Sequence, residues 1–382
     1  MSQLRILFLP AWYPSEVNPL NGVFIKEHAK AASLYNTITV IYAYHSPGYP
    51  VKGLYQASES VEDGIRIMRV RCRSSSAKRC SLISRLIRLW STFSYFRHFM
   101  KQGWSPDIIH AHVYAAGVPA IILGRLYHIP VVITEHWSWF ALHKLTWERR
   151  LAAKFALNRA RLILPVSQHL RKQIESYGIS NGFQIVPNVV NTQLFYPPTD
   201  QGEDGIKRLL MVADLSPGKG IPHLLEALSQ IKETRSDFSL DIIGEGIREE
   251  YQERVRELGL EPVVRFHGIK AKEEVAEFMR NCHFLIHPSL WETFGVTCID
   301  AMACGKPVIA TKCGGPQEIV NDDVGILVPP GDVKALAEAI GFMLHHYEDY
   351  SPEKIAHYAR ERFSYETVGK RLDEIYHQVV EG

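Results

Sequence analysis

The stretch 287–315 constrains the fold of this chain more than any other part of the sequence. The apolar residues 284–286 are typical of a buried strand, which a turn containing Pro288 ends. A helical pattern follows and stops at Gly305, and residues 307–310 form a second apolar run. A strand, a loop, a helix and a second strand in this order predict one unit of a parallel sheet.

Two carboxylates lie eight residues apart in this unit, Glu292 in the loop before the helix and Asp300 inside the helix. Gly295 begins the helix, where backbone N–H groups without an intrahelical partner and the positive end of the helix dipole favour a phosphate. Carboxylates accept hydrogen bonds from sugar hydroxyls. The combination therefore predicts a site for a sugar nucleotide.

The composition sets outer limits on fold and function. At 382 residues the chain is long enough for two domains, each with its own core, and a formal net charge of +2 argues against a nucleic acid partner. The six cysteines form no Cys-x-x-Cys pair, so we expect free thiols in a reducing cytosol and no zinc site. The N-terminal apolar run is too short for a signal peptide, and no run of about 20 apolar residues predicts a membrane span. These features predict a cytoplasmic protein.

The stretch resembles the signature of the retaining glycosyltransferases of family 4 (group 1 glycosyltransferases), which have the GT-B fold. The family pattern has two glutamates separated by seven residues, Phe-Gly after the first, and Ala-Met-Ala-x-Gly-x-Pro-Val after the second. The corresponding residues here are Glu292, Phe294, Gly295, Asp300, Ala301, Met302, Ala303, Gly305, Pro307 and Val308. The second acid is therefore Asp where the family has Glu.

The resemblance implies an α/β fold with GT-B architecture, in which two Rossmann-like parallel-sheet domains face a cleft. We assign residues 1–187 to an N-terminal, acceptor-side domain and residues 207–362 to a C-terminal domain that binds the nucleotide sugar. The polar segment 188–206 follows a Pro-Asn element similar to the family's hinge, and we predict that it is the linker. Residues 363–382 are predicted to form a helix that crosses back to the N-terminal domain.

Gly22 lies between the first predicted strand and a helix that begins at Val23. A single glycine at this place is as typical of an ordinary turn as of a phosphate-binding loop. The family carries a glycine-rich loop beside the donor diphosphate here, so the resemblance assigns Gly22 to donor binding.

Three histidines lie at the carboxyl ends of predicted strands in the N-terminal half. His136 follows the strand 130–134, in the position where parallel sheets place ligand groups. In the family a histidine at this point reaches the transferred sugar, and the resemblance implies that role for His136.

His110 and His112 lie at the end of the predicted strand that comes before this one in the sequence, and their side chains project from the same side of it. We predict a structural or acceptor-side role for them, because a metal site would need a third ligand nearby.

Lys219 lies on a strand-to-helix loop of the C-terminal half, where a lysine can place its charge on a diphosphate. The family has Gly-Arg-Leu before this lysine, whereas this chain has Ala213, Asp214 and Leu215. A carboxylate ~4–5 Å from a diphosphate would oppose binding by about 3–4 kcal/mol at an effective dielectric constant near 20. We therefore expect Asp214 to point away from the diphosphate.

Glu292 and His136 are the predicted catalytic residues, with Glu292 orienting the donor sugar. The predicted donor-binding residues are Gly22, Lys219, Ile269, Phe294, Gly295, Val296 and Asp300, of which Asp300 is expected to bind the ribose hydroxyls. No Asp-x-Asp motif lies at a strand end. We therefore expect neither a metal nor another cofactor, and predict that Lys219 and the backbone amides at Gly295 offset the diphosphate charge.

The predicted function is the transfer of a hexose-type sugar from a UDP- or GDP-sugar to an acceptor hydroxyl. The resemblance implies retention of anomeric configuration and an acceptor such as a lipid-linked glycan of surface polysaccharide biosynthesis. Two alternatives stay open. One is a non-catalytic subunit that binds a sugar nucleotide or glycan, suggested by Asp214 and Asp300, and the other is a GT-B-fold sugar-nucleotide epimerase.

Residues 82–103 combine apolar and aromatic side chains at helical spacing with the basic residues Arg85, Arg88, Arg97 and Lys101. Such a helix can lie on an anionic bilayer, which would place the protein peripherally at the inner face of the membrane. The alternative is a helix whose apolar stripe packs on its own sheet.

Overall fold

The computed structural model describes residues 3–45, 51–73, 82–199, 205–246 and 248–382. The chain folds into two compact units. The first consists of Met1–Val166, Leu170–Val189 and Tyr365–Gly382, and the second of Ser167–His169 and Val190–Ser364.

The elements of the N-terminal half alternate between strands and helices, except for three successive strands after the first helix. They are β1 (Arg5–Pro10), α1 (Val23–Ser33), β2 (Thr37–His45), β3 (Tyr55–Glu62), β4 (Ile65–Cys72), α2 (Leu82–Lys101), β5 (Ile108–His112), α3 (Tyr114–Tyr127), β6 (Val131–Glu135), α4 (Trp147–Leu157), β7 (Leu162–Pro165) and α5 (Gln168–Ser176).

The C-terminal half repeats this alternation and ends in helices. Its elements are β8 (Lys207–Val212), α6 (Ile221–Lys232), β9 (Phe238–Ile243), α7 (Arg248–Glu257), β10 (Val264–Gly268), α8 (Lys272–Asn281), β11 (Phe284–His287), α9 (Val296–Ala303), β12 (Val308–Thr311), α10 (Pro316–Ile319), β13 (Gly325–Val328), α11 (Val333–His346), α12 (Pro352–Phe363) and α13 (Tyr365–Glu381). Short 3₁₀ turns form at Pro217–Lys219 and Tyr347–Asp349.

Each unit is built on one sheet. The first has the strand order β3-β4-β2-β1-β5-β6-β7 and the second the order β10-β9-β8-β11-β12-β13. All neighbouring strands are parallel except β3 and β4. The side chains of Ile6, Leu7 and Phe8 on β1 are fully buried, as expected for a central strand of a parallel sheet that is covered on both faces.

The closing helix α13 belongs to the first unit. Gly369 lets this helix approach α1 closely, because a Cβ atom at this glycine would lie 2.2 Å from the carbonyl oxygen of Ala31. The hydroxyl of Tyr376 lies 2.7 Å from Nδ1 of His110. The last helix therefore completes the core of the N-terminal fold.

The boundary between the units at Val189 and Val190 lies inside the predicted linker 188–206. The described residues of that segment after Val189 belong to the second unit. Val190 donates its N–H to the carbonyl of Phe363 at a distance of 2.8 Å. The chain returns to the first unit at Tyr365, two residues beyond the predicted position 363.

Two elements differ from the sequence prediction. Strand β3 was not predicted because its side chains alternate between partial and full exposure at the sheet edge, which leaves no apolar run to recognise. The sequence of residues 183–186 is typical of a strand, but these residues make only an isolated bridge, between Phe183 and Ile163. Val186 still donates its N–H to the carbonyl of Pro165, so the segment follows the sheet edge without forming a regular ladder.

Helix α2 packs part of its surface on its own sheet and exposes another part. Phe96 and Phe99 are fully buried, whereas Leu86 and Trp90 are 53% and 64% exposed. One face therefore packs on the sheet of the first unit and another remains in solvent. No helix within the described ranges is long and apolar enough to cross a membrane.

Candidate functional site

In the second unit, two loops at the carboxyl ends of neighbouring parallel strands bring Lys219 to Glu292. Strand β8 leads to the turn Pro217–Lys219, and strand β11 leads to the loop that contains Glu292. Nζ of Lys219 donates a hydrogen bond to Oε2 of Glu292 at 2.8 Å. The two residues that the sequence assigned to different parts of a donor thus form an ion pair.

Close backbone packing holds the two loops together. The N–H of Leu290 donates to the carbonyl of Gly218 at 2.8 Å. A Cβ atom at Gly218 would lie 2.2 Å from the ring of Trp291, and one at Gly220 would lie 2.0 Å from the carbonyl oxygen of Pro288. Glycine on both sides of Lys219 therefore allows the approach that forms the ion pair.

The Gly314-Gly315 pair supports Glu292 from the next loop. The N–H of Glu292 donates to the carbonyl of Cys313 at 3.1 Å, and the N–H of Gly315 donates to the carbonyl of Glu292 at 3.0 Å. A Cβ atom at Gly315 would lie 2.3 Å from Cα of Phe294. This motif holds the backbone of the loop that carries the acidic residue.

The ion pair keeps both of its members charged although both are largely buried. Burial favours the neutral form of Glu292, but the charge of Lys219 and the N–H of Thr293, which donates to Oε1 at 3.0 Å, lower the pKa of this carboxyl below 4.5. Burial likewise favours the neutral form of Lys219, but the carboxylate of Glu292 raises the pKa of the amine above 10.5. The site therefore presents a fixed positive charge beside a fixed negative charge at neutral pH.

His287 is a further member of this site that the sequence analysis did not identify. Its Nδ1 lies 3.1 Å from the hydroxyl of Thr297, and its Nε2 lies 3.8 Å from Oε2 of Glu292. Burial lowers the pKa of His287 to about 4, so the ring is neutral. A polar residue at the end of a buried strand was the available signal, as it was for His136.

Asp214 lies beside the lysine that the sequence assigned to the diphosphate. Its Oδ2 is 3.8 Å from Nζ of Lys219, its Oδ1 accepts the N–H of Ser216, and its side chain is 62% exposed. The sequence predicted that Asp214 would point away from the diphosphate. In the structure its carboxylate lies beside Lys219, the cation that the sequence assigned to the diphosphate.

Helix α9 begins next to the ion pair. Gly295 caps it with φ at +97°, a conformation that favours glycine, and no side chain caps this end. Phe294 is 4% exposed, and its ring lies 5.8 Å from that of Phe363, so only its backbone is available to a ligand. Val296 is half-buried, and Asp300, on the same helix, is 8% exposed.

The other predicted donor-binding residues lie elsewhere. Ile269 follows β10 and is 50% exposed. Gly22 caps α1 in the first unit with φ at +69°, and a Cβ atom there would lie 2.4 Å from the carbonyl oxygen of Trp12. The conformation of Gly22 is thus required by the packing of its own loop.

The first unit contains a buried cluster of four histidines. His110 and His112 stack on β5 with their ring centroids 4.3 Å apart. Nδ1 of His112 lies 3.1 Å from Nε2 of His136. Nε2 of His28, on α1, lies 3.1 Å from Oδ1 of Asn188. His28 was not predicted as a site residue, because nothing in the local sequence of a helix shows which strand ends the helix faces.

The four histidines differ in what their ring nitrogens contact. His110 is satisfied on both sides, by the hydroxyls of Tyr376 and Thr134 at 2.7 Å each. Within the described chain, Nδ1 of His136, Nε2 of His112 and Nδ1 of His28 are buried without a hydrogen-bond partner. His110 is therefore a core residue, whereas each of the other three has one ring nitrogen that can still form a hydrogen bond.

Burial keeps the whole cluster neutral. It lowers the pKa of His28 to about 4 and holds the pKa values of His110, His112 and His136 well below 6.5. Among the described residues, no group of three or more His, Cys, Asp or Glu side chains is arranged to hold a metal ion.

Next to the cluster lies Glu135, a fully buried carboxylate at the end of β6. Its Oε2 accepts the N–H of Tyr114 at 2.9 Å, and its Oε1 accepts the N–H groups of His136 and Trp137 at 3.0 and 2.9 Å. Burial raises the pKa of Glu135 to about 7 against the effect of these three amides.

Comparison with known families agrees with the resemblance seen in the sequence. Residues 200–362 match the family described as "Glycosyl transferases group 1", and residues 38–194 match the one described as "Glycosyltransferase Family 4". An uncharacterized glycosyltransferase of Methanocaldococcus jannaschii, MJ1178, is 31% identical over 245 residues, which are 63% of this chain and 66% of that protein. The chain thus aligns with about two thirds of this relative.

Solved structures share the fold over the whole chain. Sucrose-phosphate synthase from Thermosynechococcus elongatus superimposes with a TM-score of 0.80 at 22% identity, covering 100% of both chains. Anabaena Alr3699/HepE, solved in complex with UDP-glucose, superimposes with a TM-score of 0.74 at 20% identity, covering 98% of this chain and 100% of that one. The predicted GT-B fold is confirmed.

Proposed function

The chain belongs to the group 1 glycosyltransferases, and we propose that it transfers a hexose-type sugar from a UDP- or GDP-sugar to an acceptor hydroxyl. The observation that carries the donor assignment is the Lys219–Glu292 pair, 2.8 Å apart, beside the uncapped start of α9. A cation, free amides and a carboxylate on one side of one sheet match the parts of a sugar nucleotide diphosphate. Alr3699/HepE, which shares the fold, was solved with UDP-glucose.

In this proposal the second unit binds the donor. The ammonium group of Lys219 and the amides of Gly295 and Val296 donate to the diphosphate oxygens, and the dipole of α9 offsets part of their charge. Glu292 accepts hydrogen bonds from the sugar hydroxyls. Asp300 accepts them from the ribose, and its side chain is about 1.5 Å shorter than the family's Glu, so we infer a shifted nucleoside or a bridging water.

The reaction that we propose is a substitution at the anomeric carbon with retention of configuration. The acceptor oxygen forms a bond to that carbon on the face from which the carbon–oxygen bond to the diphosphate breaks. The acceptor proton passes to the departing phosphate oxygen, and the nucleoside diphosphate leaves. Lys219 and the α9 amides offset the charge that develops on the leaving group. His136 of the first unit is the residue that the resemblance assigns to the transferred sugar.

The nucleotide is identified by measuring thermal shifts with UDP-, GDP- and ADP-sugars and then following release of the nucleoside diphosphate. We expect one nucleotide to stabilise the protein and its sugar form to be hydrolysed slowly without an acceptor. An epimerase would instead convert the sugar and keep it attached, and a binding subunit would leave the donor intact. Binding without release, even with acceptor extracts, would rule out the transferase proposal.

Lys219→Met tests the donor site directly. Loss of one charge-assisted hydrogen bond is expected to weaken binding of the nucleoside diphosphate about 10- to 100-fold. Lys312→Met is a matched control, because Lys312 is an exposed lysine that follows the neighbouring strand β12. Adding EDTA tests the proposal that no metal is needed, since a metal-dependent enzyme would lose its activity.

For the acceptor, we propose a lipid-linked glycan that the enzyme meets at the inner membrane face. Helix α2 supports this because it exposes Leu86 and Trp90 together with Arg85 and Arg97, a combination that favours an anionic surface. Flotation with liposomes of neutral or mixed anionic lipid tests it. The double variant Leu86→Ser/Trp90→Ser should lose flotation with anionic liposomes, whereas Leu126→Ser, which changes an exposed leucine on α3, should not. Equal recovery with both lipid mixtures would remove the membrane proposal.

A further inference from the structure

We propose that Glu135 is a positioning residue, whose carboxylate ties the His112 and His136 turns together by accepting three backbone N–H groups. The inference rests on the role proposed above for His136. It adds a group that would not touch the substrate itself.

The three hydrogen bonds join two different segments of the chain. Tyr114 is the first residue of α3, whereas His136 and Trp137 follow β6. Each oxygen of Glu135 serves one segment, with Oε2 on Tyr114 and Oε1 on the other two. The carboxylate therefore fixes the distance between the turns that carry His112 and His136, whose Nδ1 and Nε2 atoms, respectively, are 3.1 Å apart.

The turn after His112 requires such support. Val113 has φ at +73° and ψ at +137°, a conformation that a β-branched residue rarely adopts. Its N–H donates to the carbonyl of Thr134 at 2.8 Å, and the next N–H, that of Tyr114, is the one that Glu135 accepts. Strained residues persist only where the surrounding contacts determine their conformation.

A carboxylate at a fully buried position is energetically unfavourable. Among the described residues, Glu135 forms no salt bridge, and burial of a charge without an opposite charge is unfavourable. Three amides on two segments need an acceptor with two oxygens, which neither an apolar side chain nor an amide offers. The residue type is thus explained by the number of donors that it serves.

Amide hydrogen exchange tests the proposal without any assay of activity. Glu135→Gln keeps the shape but has one acceptor oxygen, so it can serve Tyr114 or the 136–137 pair, but not both. We expect exchange at one of these segments to become at least about tenfold faster, because a tenfold change corresponds to the loss of a single net hydrogen bond. Unchanged exchange at Tyr114, His136 and Trp137 would overturn the proposal.

A matched control is Asp107→Asn. Asp107 also accepts a backbone N–H, that of Arg5 at 2.8 Å, but it precedes β5, at the end of the strand opposite to His112. This variant should change exchange at Arg5 and leave the histidine turns as they are. If amide exchange at the histidine turns became faster in both variants, Glu135 would stabilise the fold in general. That result would count against a specific role in positioning the two turns.

Kinetics show whether Glu135 acts through His136. We expect Glu135→Gln to lower kcat by about 100-fold, the effect of misplacing a reacting group by about 1 Å, with little change in the KM for the donor. In a His136→Ala background the same substitution should have almost no further effect. Multiplicative losses in the double variant would overturn the proposal. If no sugar nucleotide is turned over, the proposed function fails, while hydrogen exchange still decides whether Glu135 holds the two turns.

Glu135→Asp provides a second variant should Glu135→Gln fold poorly. It keeps both oxygens but is about 1.5 Å shorter, so it can approach only one of the two segments. We expect exchange and kcat to lie between those of the wild type and Glu135→Gln. If Glu135→Asp had fast amide exchange at the two turns but the kcat of the wild type, positioning of the turns by Glu135 would not be needed for the reaction.

Discussion

Both units bury titratable side chains near the carboxyl ends of their parallel strands, but those of the first unit are neutral and those of the second are charged. In the first unit, His28, His110 and His112 are fully buried and neutral. In the second unit, Lys219 and Glu292 are about one-fifth exposed and remain charged. The histidines contact hydroxyls, amides and one another, whereas the lysine and the glutamate contact each other.

This difference shows that burial alone does not decide the charge of a site. Burial disfavours the charged form of every one of these groups, and in the second unit an opposite charge at hydrogen-bond distance reverses the effect. The second unit therefore has a fixed charge pair suited to a diphosphate and sugar hydroxyls. The first unit has uncharged groups that can exchange hydrogen bonds with a neutral partner.

Removing one member of the charged pair should give the largest effect. Glu292→Gln leaves the largely buried ammonium group of Lys219 with only the exposed carboxylate of Asp214, 3.8 Å away, as a counter-charge. We expect a loss of about 3 kcal/mol in the free energy of unfolding, the lower end for a buried pair because both side chains keep some exposure. Urea unfolding followed by circular dichroism measures this change. The double variant Glu292→Gln/Lys219→Met should recover most of the stability but no donor turnover, and equal stability of single and double variants would contradict the prediction.

Acidification should destabilise the histidine cluster. The pKa of His28 is about 4 in the folded chain and 6.5 as its ordinary value, so the unfolded chain binds more protons between these values. Stability is therefore full above pH 6.5 and falls as the pH approaches 4, by roughly 3 kcal/mol for this residue. Glu135 acts in the opposite sense, because its raised pKa of about 7 makes protonation below pH 7 favourable in the folded state.

Six of the seven tryptophans lie in the first unit, so urea unfolding followed by tryptophan fluorescence at pH 7 and pH 4.5 measures this effect. His28→Gln should flatten the pH dependence, whereas His98→Gln, at an exposed position on α2, should not. An unchanged slope in His28→Gln would show that His28 does not remain neutral on burial.

Removing a hydroxyl from the neutral cluster should have a smaller effect. Tyr376→Phe leaves Nδ1 of His110 without its partner, and we expect a loss of about 1–2 kcal/mol in the unfolding free energy of the first unit. Tryptophan fluorescence measures it. Tyr358→Phe is the control, because its hydroxyl donates to the carbonyl of Ile319 in the second unit, and it should leave the fluorescence transition in place. A shift of similar size in both variants would contradict a local effect.

The smallest change concerns Asp214. Its carboxylate is 62% exposed beside Lys219, so Asp214→Asn should tighten binding of the nucleoside diphosphate by only about fivefold, or about 1 kcal/mol. Calorimetric titration at low and high salt measures it, and the gain should shrink as salt increases. Asp323→Asn, at an exposed position of the same unit, is the control. No change in affinity would mean that Asp214 does not act on the diphosphate.

Much of the fold could be predicted because buried parallel strands leave apolar runs in the sequence. The runs at 284–286 and 307–310 predicted β11 and β12, and the helix between them was also found. Strand β3 was missed because an edge strand with alternating exposure has no such run. Pairing with β4 decides its structure, and the partner cannot be recognised from local sequence.

The candidate site could be predicted only residue by residue. Glu292 and Lys219 were identified through the family signature, each with a role of its own. Their ion pair depends on loops 73 residues apart, and no local pattern reports such a distance. The same holds for His28 and Asn188, which are 160 residues apart.

The sequence by itself determined most of the helices and buried strands, and which family signature the chain carries. These properties depend on neighbouring residues, through apolar periodicity and backbone conformation. Only the tertiary structure decided which side chains meet and therefore which of them are charged. Protonation depends on burial and on partners brought from distant parts of the chain, and Lys219, Glu292 and the four histidines acquire both only when the strands are assembled into sheets.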